Sequence, residues 1–141
     1  MKFNKLIPEL SVSDVKKSLQ FFRNVLGFKI EYQREKFIFL SLEGSQLMID
    51  EGGDENSPWF VGKLEYPRGR GMHFQIQVQN IQPILDRLKK NNYPLKDPTK
   101  DYWFRRDDEL IGMRGFLVQD PDGYLLLIFE DIGTKELNKG D

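Results

Sequence analysis

The chain has 141 residues, 39% of them hydrophobic, and carries 21 lysines and arginines against 22 aspartates and glutamates. That is enough for one globular domain with a sizeable core, and too evenly charged to favour a polyanion or an anionic membrane surface. Cysteine is absent and His73 is the only histidine, which excludes disulfide scaffolds, cysteine nucleophiles and any metal centre needing thiolates or two imidazoles from one chain. No apolar run approaches a membrane span or a signal-peptide core, so the expected setting is cytoplasmic, without nucleic-acid or membrane partners.

In chain order, residues 6–12 read as a strand, with Leu6, Leu10 and Val12 on one face and Ile7, Glu9 and Ser11 on the other. Ser13 or Asp14 caps a helix whose Val15, Leu19, Phe22 and Leu26 form a single apolar stripe, and Gly27 suits its end. Three short strands are expected next, over 28–33, 37–42 and 45–50, with Glu43-Gly44 as a tight turn. Residues 52–70, rich in glycine, proline and charge, read as a linker whose one apolar element is Trp59-Phe60.

A second strand-cap-helix unit follows. In residues 73–79, Phe74, Ile76 and Val78 alternate with His73, Gln75, Gln77 and Gln79, so the apolar face meets a helix and the polar face looks into whatever the sheet curves around. Asn80 caps the second helix, Pro83 sits in its first turn, and Ile81, Ile84, Leu85 and Leu88 form its stripe. Residues 96–112 read as an irregular insertion that carries Tyr102-Trp103-Phe104-Arg105-Arg106 in a loop. Strands over 115–119 and 124–130 are joined by the turn Asp120-Pro121-Asp122-Gly123, and residues 132–141 form a polar, frayed tail.

These pieces repeat. Residues 6–28 match 72–94 at a shift of 66, and Gly44-Ser-Gln-Leu-Met-Ile matches Gly123-Tyr-Leu-Leu-Leu-Ile at a shift of 79, so the second copy is longer by an insertion placed within 96–112. The expected fold is α+β: a single domain of two tandem βαβββ modules, 5–51 and 71–131, joined by a linker over 52–70. In the last strand of each copy Gln46, Met48 and Asp50, like Leu125, Leu127 and Phe129, take the side away from the helix. A face this mixed, partly apolar with a few polar groups, is typical of small-ligand clefts.

The run from Leu6 to Phe28, its second copy, and the closing Phe116-Leu-Val-Gln-Asp-Pro-Asp-Gly-Tyr-Leu-Leu-Leu-Ile128 resemble the glyoxalase/bleomycin-resistance/dioxygenase superfamily, also called vicinal oxygen chelate proteins. The resemblance implies paired modules whose mixed sheet curves around a cleft, and a homodimer. It further implies that the superfamily's enzymes hold a divalent metal with one ligand from the first and one from the last strand of each module. Carried over, those positions are Ile7, Met48, His73 and Leu127, three of which offer no ligand for a hard cation.

The pattern therefore leans to the bleomycin-resistance branch, which sequesters a drug between aromatic side chains without altering it. No metal and no cofactor are expected. The expected ligand contacts are Met48, Trp59, Phe60, His73, Gln75, Tyr102, Trp103 and Arg105, with Met48, Trp59 and Trp103 near clefts shared across the dimer. Arg105-Arg106-Asp107-Asp108-Glu109 reads equally as a solvated, self-neutralising charge run. The competing reading is a lyase, isomerase or dioxygenase of the same superfamily, with His73 as base beside Glu9 or Gln75, or as the sole retained metal ligand with Glu9, Asp50 or Glu130 as replacements.

Overall fold

A computed structural model of the protein describes residues 2–137. Its elements run β1 (Glu9–Ser11), α1 (Val15–Leu19), a π-helical turn (Gln20–Val25), β2 (Lys29–Arg34), β3 (Phe37–Leu42), β4 (Ser45–Asp50), β5 (His73–Gln77), α2 (Gln82–Lys90), β6 (Asp97–Arg106), β7 (Glu109–Gln119) and β8 (Leu125–Glu136). The strands form two four-stranded sheets, β1-β4-β3-β2 and β5-β8-β7-β6. In each, the first strand pairs parallel to the last and the others are antiparallel. The fold is thus a tandem βαβββ duplication, and both sheets are mixed.

Strand alternation sends one face of each sheet to the helices. Leu10, Val12, Leu40 and Ile49 join Ile76, Val78, Phe116, Leu126 and Ile128 in one continuous core with Phe22, Leu26, Ile84 and Leu88 of the helical layer. Three further buried side chains, Phe37, Phe39 and Leu127, lie outside that cluster on the opposite face. There Phe3 stacks on Phe39 with ring centres 5.2 Å apart, and the Gln46 side chain bonds the Asn4 amide and the Lys2 carbonyl.

Asp14, rather than Ser13, caps α1, accepting from the Lys16 and Lys17 amides. All four residues of the predicted stripe pack on the core, and beyond Leu19 the helix widens and adds Phe21 and Val25 to it: Leu26 N–H reaches back five residues to Phe21 O. This π-type bond turns Phe21 inward, fully buried beside Phe22 and Val25. The Asn80 carboxamide accepts from Gln82 N–H at the start of α2, and Glu130 of β8 accepts from Ile81 N–H, so two residues share the capping.

The structure corrects three expectations. Leu6 is 85% exposed and does not pack on the helix, because β1 begins only at Glu9, after Pro8. Residues 96–112 are not an irregular loop. They lengthen the β6–β7 hairpin, so Tyr102-Trp103-Phe104 are strand residues and only Asp107-Asp108 turn. The expected frayed tail begins too early, since β8 pairs with β7 as far as Glu136 opposite Glu109; residues 138–141 lie outside the described residues.

The repeat is written into the seam between modules. Glu43, in the β3–β4 turn, accepts from Gln79 N–H at 2.9 Å, while Asp122, in the β7–β8 turn, accepts from Ser13 N–H at 3.0 Å. Ser13 and Gln79 are equivalent at the shift of 66, and Glu43 and Asp122 at the shift of 79. Each module's last turn therefore holds the chain leading into the other module's helix. Gly123, at φ +95°, keeps the second turn tight against Pro67, where a methyl group would come within 2.5 Å of the proline Cα. Because the Ser13 amide is part-buried and the Gln79 amide is exposed, Asp122→Ala should destabilise the chain by about 1–3 kcal/mol and Glu43→Ala by less. Urea unfolding of the two variants measures the difference.

Candidate functional site

The connection from β4 to β5 folds back over the non-helical face of the first sheet. Asp54 starts a compact turn, accepting from Asn56 N–H through its carboxylate and from Ser57 N–H through its carbonyl, and Ser57 in turn receives the Trp59 and Phe60 amides. This places Trp59 and Phe60 beside Glu9, Ser11 and Asp50, and a cavity of ≈ 380 Å³ lies between them. Glu9, Asp50, Glu51, Asp54, Trp59, Phe60 and Tyr124 are among its lining residues and no lysine or arginine is among the described ones, although Arg68 Nη1 donates to Ser11 O at 3.0 Å beside it.

Glu9 and Asp50 come from neighbouring strands, β1 and β4, whose parallel register pairs Glu9 with Met48 and Ser11 with Asp50. Partial desolvation, followed by the Asp50 charge, raises the Glu9 pKa, against an opposing pull from Arg34. Trp59 is 87% exposed, on the rim. The Tyr124 hydroxyl donates to Ser11 O at 2.9 Å, tying the far wall to β1.

The sequence-predicted residues divide among several places. Trp59 and Phe60 line this cavity together with Glu9 and Asp50; Met48, His73, Gln75, Tyr102, Trp103 and Arg105 do not. Met48 is half-buried between Glu9 and Phe39 in the strand register. His73 and Gln75 are exposed neighbours on β5, with Gln75 Nε2 3.2 Å from His73 Nε2. Glu130, expected on the helix side, caps α2 there.

Tyr102 and Phe104 stack with ring centres 6.0 Å apart on one face of β6, and Trp103 takes the opposite face, over Gly112 and under the Lys135 ammonium at 4.1 Å. A methyl group at Gly112 would stand 2.5 Å from that indole, so the glycine is what lets the ring lie flat. Arg105 donates to Asp107 O, and Arg106 pairs with Glu109. The guanidiniums are thus engaged at the hairpin tip, as the charge-run reading expects. Sequence reasoning overlooked Ser57 and Tyr124, though the Asp-x-x-Ser spacing of the turn and the position of Tyr124 just after Gly123 were visible.

The model of the Glyoxalase/Bleomycin resistance protein/Dioxygenase superfamily matches residues 6–128, spanning both modules. The chain belongs to this superfamily. It is 29% identical over 138 residues to "Bleomycin resistance protein" from Geobacillus stearothermophilus and from Staphylococcus aureus, covering 89% of this chain and 96% of each relative. Among solved structures, it resembles a glyoxalase/bleomycin resistance protein/dioxygenase from Alicyclobacillus acidocaldarius, at 18% identity and a TM-score of 0.62, with 92% of both chains covered. It also resembles a protein of unknown function from Agrobacterium tumefaciens strain C58, at 26% identity and a TM-score of 0.67, covering 94% and 95% of the two chains.

The superfamily's divalent-metal positions do not fit a metal here. Ile7 and Leu127 are hydrocarbon, Met48 offers a thioether, and only His73 carries a ligand for a borderline cation. Among the described residues no three histidine, aspartate or glutamate side chains gather as a cation site, and no helix is long and apolar enough to cross a membrane.

Proposed function

We propose that this superfamily member is a cytoplasmic, homodimeric binding protein that works without a metal and sequesters a small, partly planar cation, drug or metabolite. The observation that carries this reading is the cavity over the first sheet, with four acidic and three aromatic residues in its lining and no lysine or arginine among the described lining residues. Carboxylates select positive charge, and aromatic rings give a planar or cationic ligand faces to lie on. Its volume is in the range of small-molecule sites. The curated relatives named for bleomycin resistance support the same direction.

Titration with metal-free bleomycin, and in parallel with ethidium as a simple planar cation, should quench Trp59 fluorescence with 1:1 stoichiometry per chain. The ligand should be recovered chemically unchanged. Failure of both probes to bind, or turnover that disappears in His73→Ala, would replace this reading with the enzymatic one.

The homodimer is supported by the face of the second sheet away from the helices. There Leu125, Phe129, Tyr102 and Phe104 leave apolar surface accessible, a liability in a monomer. An obligate interface over it buries at least ~2,000 Å² in total. Sedimentation at low micromolar concentration should give one species of twice the chain mass; a monomer there contradicts the dimer.

A further inference from the structure

Directly paired residues share one face of a sheet, so the strand register lays out the non-helical face of the first sheet in rows. One row runs Glu9, Met48, Phe39, Tyr32 across β1, β4, β3 and β2, and the next runs Ser11, Asp50, Phe37, Arg34. The acidic cavity takes the Glu9 and Asp50 end of these rows. Their other end is an aromatic shelf, in which the Tyr32 ring centre lies 5.8 Å from that of Phe37 and 5.3 Å from that of Phe39. Two strand spacings, about 10 Å, separate Glu9 from Phe39.

Two planar groups of the chain itself lie on that shelf. The Arg34 guanidinium sits 3.9 Å from the centre of the Phe37 ring. Phe3, from the arm ahead of β1, stacks on Phe39 at 5.2 Å and 26° and meets Tyr32 edge-on at 6.4 Å. Phe39 is fully buried although it lies outside the main core, whereas the Phe3 ring stacked on it is half exposed. The arm is lightly held. Among the described residues, 2–7 make no backbone-to-backbone hydrogen bond. Instead the Gln46 carboxamide accepts from Asn4 N–H and donates to Lys2 O, both at 2.7 Å, and the Asn4 carboxamide donates to Gly44 O at 2.8 Å. All three bonds are exposed, so water replaces them at little cost.

We propose that Phe3 is an intramolecular plug: its ring occupies a site for an aryl group on the Tyr32–Phe39 shelf, and a ligand reaching there from the acidic cavity across Met48 has to expel it. This rests on the reading of that cavity as a cation site and gives its ligand a shape, a cationic end for Glu9 and Asp50 with an aryl group about 10 Å away. An aryl group gains there from stacking on Phe39 and from edge contact with Tyr32, the geometry that Phe3 already shows. The chain's own ring competes with the ligand's, so the arm lowers affinity for long aryl cations and leaves short cations alone.

The test uses the full chain, labelled with nitrogen-15, with p-cresol as a neutral aryl probe, ethidium as an aryl cation and tetramethylammonium as a short cation. p-Cresol should shift the amides of Tyr32, Phe37 and Phe39 in Phe3→Ala at concentrations at least tenfold below those the parent chain needs. Ethidium should bind Phe3→Ala at least threefold more tightly than the parent, and in the parent it should move the Phe3 and Asn4 amides to the positions of an unstructured segment. Tetramethylammonium should bind both chains alike. Gln46→Ala cuts two of the three ties and leaves the ring, so it should strengthen p-cresol and ethidium binding too, which decides the matter should Phe3→Ala fold poorly. If no cation binds any chain while p-cresol still prefers Phe3→Ala, the cation reading of the cavity fails and the aryl site under Phe3 stands. Equal p-cresol binding to the parent and both variants, or ethidium binding that leaves the Phe3 and Asn4 amides in place, would overturn the plug.

Discussion

A Glu9→Gln/Asp50→Asn variant should bind ethidium at least tenfold more weakly than the parent chain, with its folding midpoint unchanged or raised. The two residues stand on adjacent strands at the edge of one cavity, and after desolvation the Asp50 charge helps to hold the Glu9 pKa up. Removing them takes away the cation's partners, and bonds to charged groups are worth about 1.5–3 kcal/mol each, a tenfold change being about 1.4 kcal/mol. The same removal relieves a like-charge repulsion, so weakened binding cannot be ascribed to unfolding. Because the Glu9 pKa is raised in the free chain, a bound cation pulls it down and releases protons. Affinity should therefore fall as the pH drops through that pKa, and calorimetry in buffers of different ionisation enthalpy should detect the released protons. A double variant with parental affinity would remove the carboxylates from the site.

The second large effect concerns Asp120. Burial pushes its pKa up to about 6 from an ordinary 3.8, the neighbouring Asp122 charge adds to this, and the amides of Tyr124, Asp122 and Gly123 oppose it. Since the folded pKa lies above the unfolded one, the folded chain holds the proton more tightly, and ionised Asp120 opposes folding above pH 6. Stability should therefore rise as the pH falls from about 7 to about 4, by roughly 2.4 kcal/mol from this group alone. Asp120→Asn should abolish that rise while keeping the turn, because the amide oxygen still accepts from Asp122 and Tyr124. Urea midpoints across this range test the prediction, and an unchanged slope in the variant contradicts it.

The modular fold was legible because its determinants are local. Alternation in residues 73–79, the caps at Asp14 and Asn80, and the turn residues at 43–44 and 120–123 each act within a few positions. The π-helical turn was not, since the stripe through Val15, Leu19, Phe22 and Leu26 satisfies an ordinary helical period and gives no sign of a widened turn; in the fold Phe21 packs against Tyr93 and Phe22 against Phe28. The strand character of 97–106 was hidden by its charges, which suit a hairpin edge open to water as well as a loop. For the cavity, Trp59 and Phe60 stood out as the only apolar pair in a polar connection, but nothing in their spacing showed that the chain returns to Glu9 and Asp50. Local acidity was likewise invisible in a balance of 21 basic and 22 acidic residues.

The reciprocal contacts of Glu43 with Gln79 and Asp122 with Ser13 make each half of the molecule the other's missing piece. Each half caps its own helix, through Asp14 or through Asn80 and Glu130, but leaves the amide just before that cap to the other half. Melting should then be one cooperative event despite the visible duplication, with amide exchange at Ser13 and Gln79 opening at the same free energy. The contacts are blind to connectivity: they run between equivalent positions and need no peptide link through the connection from β4 to β5. A chain of half this length would find the same two bonds in a second copy of itself, which is how such a pair could stand together before one polypeptide joined them.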